Sequence, residues 1–454
     1  MLFNFLKGKL VGDGLAARAR RGSLLTVAKF GGSNLMRLIS NLILTRLLFP
    51  EAFGLMALIH VVMSGVNLFS DLGIKASVIQ HKRGDDPVFL NTAWTLQILR
   101  SLVIYSVIFM LAPHAALFYE EPMLADLMPV AALGIIIQAF MPVRIMHAKR
   151  NIMLGRLTVI NLGNQVMTLT ITVFLVWIYQ SVWALVVGTL IGGLVRNVML
   201  RLLMPGIPDR FRLEWAASRD MIGFGLFVFV STAATFVITS GDRAILGRFI
   251  SLDLLGVYAI AATLAMVPMQ LMRALATAIV FPIYSRQPPH ENPESRRKLF
   301  KARFLLTGTV FAGSLMLLIF GNTLVSLMYD PRYYTAGVIT ILLVLGLLPV
   351  LIVTSYDPIL LSNNRPDMHA VLMVSNGLLR MGALYIGVTE FGILGAALAP
   401  TASSLLHYPI MVALTRRYHA WDPRHDVFFA LIALGFYGLA WWLHADLITA
   451  LAQN

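Results

Sequence analysis

Six basic side chains belong to stretches of the sequence that are otherwise apolar, Lys29, Arg37, Arg100, Arg273 and Arg380 inside them and Arg243 at the end of one. Each costs at least roughly 2.5 to 3.5 kcal/mol at a bilayer midplane unless it meets a partner or a wet cavity. The acids able to neutralise them are fewer: Asp71, Asp242 and Asp357. Such a positive excess invites an anionic ligand, and a diphosphate suits it. Guanidinium stays charged and takes phosphate oxygens in a bidentate fork, with Lys29 as a point charge. For any single arginine, pairing with a carbonyl or snorkelling to the headgroups is the competing explanation. Polar side chains recur on the same stretches at helical spacing, as a cavity lining would: Asn34 and Asn41 around Arg37, Asn67 after His60, Gln270 before Arg273, and Thr232, Thr235 and Thr239 before Asp242. Asp71, Asp357 and His60 could also titrate and couple ligand movement to an ion gradient. The plainer readings are an arginine-paired carboxylate for the aspartates and a hydrogen-bonded core residue for the histidine.

No motif for bond-making chemistry accompanies these groups. The sequence holds no GxxxxGK phosphate loop, no HExxH, no His or Cys run at metal-ligand spacing, and no cysteine. The expectation is a chain that is not an enzyme and holds neither metal nor cofactor.

The elements that must position the cations are membrane helices. The chain has 454 residues, 58% hydrophobic and 13% charged, with mean hydropathy +0.77, against about 25% charged in soluble domains. A span takes roughly 20 mostly apolar residues, because the lipid offers the backbone no hydrogen-bond partner. Apolar stretches lie near 24–48, 53–71, 91–112, 124–147, 156–178 and 181–203, then near 219–241, 253–283, 302–321, 335–362, 367–389 and 392–415, with a thirteenth at 427–443.

Lys and Arg alternate between the connections: 27 of the 36 fall on one side, in segments that include residues 1–23 and 285–303. The connection around Pro113 to Met123 carries two glutamates and no Lys or Arg. By the positive-inside rule the N-terminus is cytoplasmic, and the chain crosses its membrane many times. The net charge of +14 is then mostly topology and contact with membrane lipids, so nucleic acid is not required as a partner. Residues 1–23 read as a cytoplasmic amphipathic segment, with Leu2, Phe3, Leu6 and Leu10 on one face.

A repeat divides the chain. Arg46 to Ala57 (RLLFPEAFGLMA) matches Arg248 to Ala259 (RFISLDLLGVYA) at a constant offset of 202, pairing Gly54 with Gly256. A proline also falls inside the fourth stretch of each half, Pro142 and Pro349. Six spans per half put the halves in the same orientation, an arrangement suited to alternating access. The fold expected is all-α and integral to the membrane: two pseudo-symmetric six-helix lobes, residues 24–205 and 219–417, around a central cavity. A cytoplasmic linker at 206–218 joins them, and an additional apolar segment at 418–454 follows, for about 12 to 14 transmembrane helices.

The segments LTRLLFPEAFG (44–54), FSDLGIKASVIQ (69–80) and GDRAILGRFI (241–250), followed by GVYA (256–259), resemble the oligosaccharide flippases of bacterial polysaccharide synthesis. These belong to the multidrug/oligosaccharidyl-lipid/polysaccharide exporter superfamily, together with multidrug and toxin extruders and peptidoglycan-precursor flippases. The resemblance spans nearly the whole chain. It implies movement of undecaprenyl-diphosphate-linked glycan units from the inner to the outer leaflet for exopolysaccharide, capsule or O-antigen synthesis. It also implies a lipid-linked oligosaccharide as ligand, and the polymerase and glycosyltransferases of the pathway as partners. A drug or cation antiporter of the same fold is the alternative, and would favour buried acids over buried arginines. A membrane-embedded glycosyltransferase or polymerase would need a substantial outer loop bearing acids, which the short outer connections do not provide.

Overall fold

The computed structural model describes residues 15–69, 74, 77–78, 81–150, 154–206, 208–276, 280, 293–363 and 365–452. Among them the regular structure is helical, with no strand, as lipid-exposed backbone requires. In chain order the helices are α1 (Leu15–Leu47), α2 (Pro50–Phe69), α3 (Pro87–Tyr119), α4 (Met123–Ala139), α5 (Arg144–Arg150), α6 (Leu154–Tyr179) and α7 (Val182–Leu203). They continue with α8 (Trp215–Phe249), α9 (Leu252–Ala265), α10 (Val267–Leu275), α11 (Pro293–Met328), α12 (Thr335–Thr354), α13 (Pro358–Ser362), α14 (Pro366–Arg416) and α15 (Pro423–Ala452). Nine helices among the described residues are long and apolar enough to span a bilayer, and the chain is a multi-pass membrane protein.

Helix α14 contains 51 residues, about 76 Å if straight, which is more than twice a hydrocarbon core. It is therefore two spans. The break is Gly392, at φ 57° and ψ −140°, a conformation that glycine adopts without the Cβ penalty. On either side of it Gly387 and Gly395 abut backbone to backbone, with no room for a Cβ on either. The expected thirteen apolar stretches each coincide with helix among the described residues. One detail differs. The fourth stretch is broken at residues 140–143, so Pro142 lies in a turn between α4 and α5, and Pro129 is the proline inside α4. Pro349 lies inside α12, as expected.

The chain divides into two compact units, Met1–Leu48 with Val62–Phe229 and Phe49–Val61 with Val230–Asn454. In the first, α3 packs on α4, α6 on α7 and α1, and α4 on α7. The segment after α7 is stitched to this unit. Backbone N–H groups of Arg210, Arg212 and Glu214 donate to Asn91 Oδ1 (3.0 Å), Thr95 Oγ1 (3.0 Å) and Thr92 Oγ1 (3.2 Å) on the second and third turns of α3. The Glu214 carboxylate takes a fork from Arg83 at 2.8 and 3.0 Å. An extended segment with no sheet neighbour thus finds its hydrogen-bond partners on a polar helix face.

The second unit is built around α12, in which seventeen of twenty residues are buried, as befits a helix apolar on every side. Helices α9, α11, α14 and α15 pack against it. The repeat is structural as well as sequential. In the first copy a helix ends at Leu47 and the next starts at Pro50; in the second they end at Phe249 and start at Leu252, the same offset of 202.

Candidate functional site

The second unit contains an internal cavity of about 390 Å³. Its walls come from α8 (Thr235, Thr239, Arg243), from α9 and α10 with their junction (Met266, Met269, Gln270, Arg273), from the end of α12 and the following turn (Thr354, Asp357), and from both halves of α14 (His369, Met373, Asn376, Arg380, Ser404, His407). Gln270 and Arg273 reach it because Pro268 ends α9 and starts the short α10, turning the polar face inward. Three guanidinium groups and one carboxylate, Asp357, are the charged side chains lining it. The volume corresponds to about a dozen water molecules. That admits a charged headgroup and its nearest sugar, not a whole oligosaccharide.

Arg380 is 9% exposed and feels the charges of Asp242 and Arg273. Asp242 is engaged elsewhere, accepting from the Arg243 backbone N–H at 2.8 Å and from the Tyr258 hydroxyl at 2.9 Å. Arg243 Nε is buried without a hydrogen-bond partner, and a buried orphan donor of this kind calls for a ligand or water. Arg273 lies within electrostatic range of Asp357. Such an arrangement suits a dianion or trianion held by forks.

The structure brings together seven of the seventeen residues singled out from the sequence: Thr235, Thr239, Arg243, Gln270, Arg273, Asp357 and Arg380. The others lie elsewhere or outside the description. Arg100 donates to the Asn67 backbone and side-chain oxygens at 2.6 and 2.9 Å, joining α3 to α2 in the first unit. In the same unit Asn34 and Asn41 on α1 are half-buried and Arg37 is exposed. His60 on α2 is exposed. Lys29 is on α1, with its side chain outside the described residues, and Asp71 is also outside them. His369, Asn376, Ser404 and His407 escaped the sequence reading. The first two had a signal, since His369, Met373, Asn376 and Arg380 follow one another at steps of four, three and four, one face of a helix.

A larger recess of about 1450 Å³ runs along α14, lined by Leu378, Ile386, Phe391, Leu398 and other apolar groups, with Glu390 and no Lys or Arg in its lining. Size alone favours it; the chemistry favours the smaller cavity.

A family model described as "Polysaccharide biosynthesis protein" matches residues 43–338, well over half the chain. The lipopolysaccharide biosynthesis protein WzxC of Escherichia coli is 22% identical over 409 residues, covering 87% of this chain and 80% of that protein. Among solved structures, the lipid II flippase MurJ in an inward closed conformation aligns with a TM-score of 0.69 at 13% identity, over 94% of this chain and 99% of that one. An inward-facing multidrug transporter of the MATE family aligns with a TM-score of 0.66 at 14% identity, over 84% and 93%. At these identities the two structures speak for the fold.

Proposed function

The chain belongs to the polysaccharide biosynthesis protein family, and from that premise we propose that it is a flippase for undecaprenyl-diphosphate-linked oligosaccharide units. It carries them from the inner to the outer leaflet of the cell inner membrane by alternating access, with its N-terminus cytoplasmic. The observation that carries this reading is the convergence of Arg243, Arg273 and Arg380 on one cavity whose lining includes a single carboxylate. A cation antiporter would need the opposite balance. The diphosphate binds the guanidinium groups in forks, and Gln270 and Asn376 hydrogen-bond the first sugar. The remaining glycan stays in water, as the cavity volume dictates, and the polyprenyl chain stays in lipid. No bond is made or broken. Lys29, Arg37 and Arg100 add positive charge on the first lobe, residues 24–205. Asp357 is the carboxylate placed to answer the arrival of the diphosphate, by releasing Arg273 and taking up a proton.

The test is deletion of the gene followed by lipid extraction and complementation. A flippase defect traps undecaprenyl-linked glycan on the cytoplasmic side, and Arg273→Ala fails to relieve it while inserting normally in the membrane. Loss of drug resistance with no trapped intermediate would overturn the reading.

A further inference from the structure

Arg303 falls among the basic residues that the positive-inside pattern assigns to a connecting loop, yet its side chain is 0% exposed on α11. A guanidinium buried so completely is tolerated only where its donors are met. Its Nε and one terminal nitrogen donate to Ser355 Oγ at 3.3 and 3.0 Å, and the other terminal nitrogen donates to the Ala420 carbonyl at 3.2 Å. Its plane stacks 3.6 Å from the Tyr356 ring centroid. The counter-charge is Asp426, in the first turn of α15 and 3.8 Å away. Asp426 Oδ2 accepts from the hydroxyls of Tyr356 (2.7 Å) and Tyr408 (2.8 Å). Its Oδ1 lies 2.8 Å from His425 Nδ1, which assigns the proton to that nitrogen and leaves Nε2 to accept from the Thr307 hydroxyl at 2.9 Å. The Asp422 backbone N–H donates back to the Tyr356 oxygen at 3.2 Å.

Ser355 and Tyr356, the two residues so clamped, sit in the turn that ends α12. The residues on either side of them, Thr354 and Asp357, line the cationic cavity. Among the described residues the Asp357 carboxylate makes no hydrogen bond, and its one charged neighbour is Arg273. Nothing at the tip of the side chain fixes it. Its placement comes from the backbone turn, and the turn is held from behind.

We propose that Arg303 and Asp426 are positioning residues for Asp357. The salt-bridged network of α11 and α15 grips Ser355 and Tyr356 and so sets where the cavity carboxylate stands relative to Arg273. This rests on the flippase reading for the role of Asp357 in translocation. It gives α15, which contributes no residue to the cavity wall, an indirect part in the ligand site through that turn.

The absence of cysteine supplies the test. Single cysteines are introduced as Asp357→Cys or, on another wall of the same cavity, as Asn376→Cys, in the full-length protein in lipid nanodiscs. The rate of labelling by a small maleimide is measured alone and with Tyr356→Phe or Asp426→Asn. Loss of one hydrogen bond to a charged group should change the rate at position 357 by about tenfold to a hundredfold and leave position 376 unchanged. Unchanged labelling at 357 in both backgrounds, or equal changes at both positions, would overturn the proposal. Failure of the flippase reading shows separately, as full glycan export by Asp357→Asn, and does not touch the labelling result.

Discussion

Gly54 and Gly256, 202 residues apart, each lie against the backbone of the residue that opens the other's helix. A Cβ on Gly54 would collide with the carbonyl of Leu252, and one on Gly256 with the carbonyl of Pro50. The contact is reciprocal because the two residues hold equivalent places in the repeat, as an approximate twofold relation requires. The repeated glycine thus serves the meeting of the two copies of the turn, beyond the shape of either one.

A side chain at either glycine must push two backbones apart. Gly256→Leu should destabilise the protein by about 1 to 3 kcal/mol, the usual range for overpacking. Thermal unfolding in detergent would show it as a lowered transition. Gly435→Ala, on α15 where a Cβ meets nothing within 4 Å, should leave the transition in place. Equal effects of the two substitutions would contradict the close crossing.

Arg100 belongs to the fold of the first unit. Its hydrogen bonds to Asn67 are charge-assisted, and such bonds contribute about 1.5 to 3 kcal/mol. In a double-mutant cycle, Arg100→Ala and Asn67→Ala should therefore show coupling in stability, with their joint effect smaller than the sum of the separate ones. Independent, additive effects would separate the pair.

The Arg83 cluster makes a prediction about pH. Hydrogen bonds from Arg83 hold the carboxyls of Asp86 and Glu214 below the ordinary carboxylate range. A carboxylate whose folded pKa is depressed contributes stability above its unfolded pKa, and that contribution is lost as pH falls through the folded value. The difference in melting temperature between wild type and Arg83→Gln should therefore be present at pH 6 to 7 and shrink below about pH 4. The effect is small, because these groups are open to solvent. A difference that grows on acidification would reverse the assignment.

Much of this fold was legible because lipid imposes a simple rule: a helix of about 20 apolar residues or nothing. The repeat around Gly54 and Gly256 was legible as well, and the helix boundaries carry the same offset of 202. Pro142 was misplaced because an apolar stretch reads the same whether a proline kinks a helix or sits in a turn between two. The cations Arg243, Arg273 and Arg380 stood out against apolar neighbours, and the structure gathers them. His369 was legible from its helical spacing with Asn376 and Arg380, whereas His407 joins them only when the two halves of α14 are folded together. Arg303 was hidden by the charge pattern of the run 285–303, in which it reads as one more loop residue. Near a span's end, a loop arginine and a buried one have the same sequence environment.

The central claim is that the cavity arginines hold the diphosphate of a lipid-linked glycan. It is tested most directly by translocation in proteoliposomes of a polyprenyl-diphosphate glycan, compared with the same glycan on a neutral lipid, for wild type, Arg273→Ala and Arg380→Ala. The expected result is rapid movement of the diphosphate substrate by wild type, a loss of about tenfold to a hundredfold in each variant, and little movement of the neutral analogue by any of them. Equal rates for the two lipids, or wild-type rates in both variants, would contradict it.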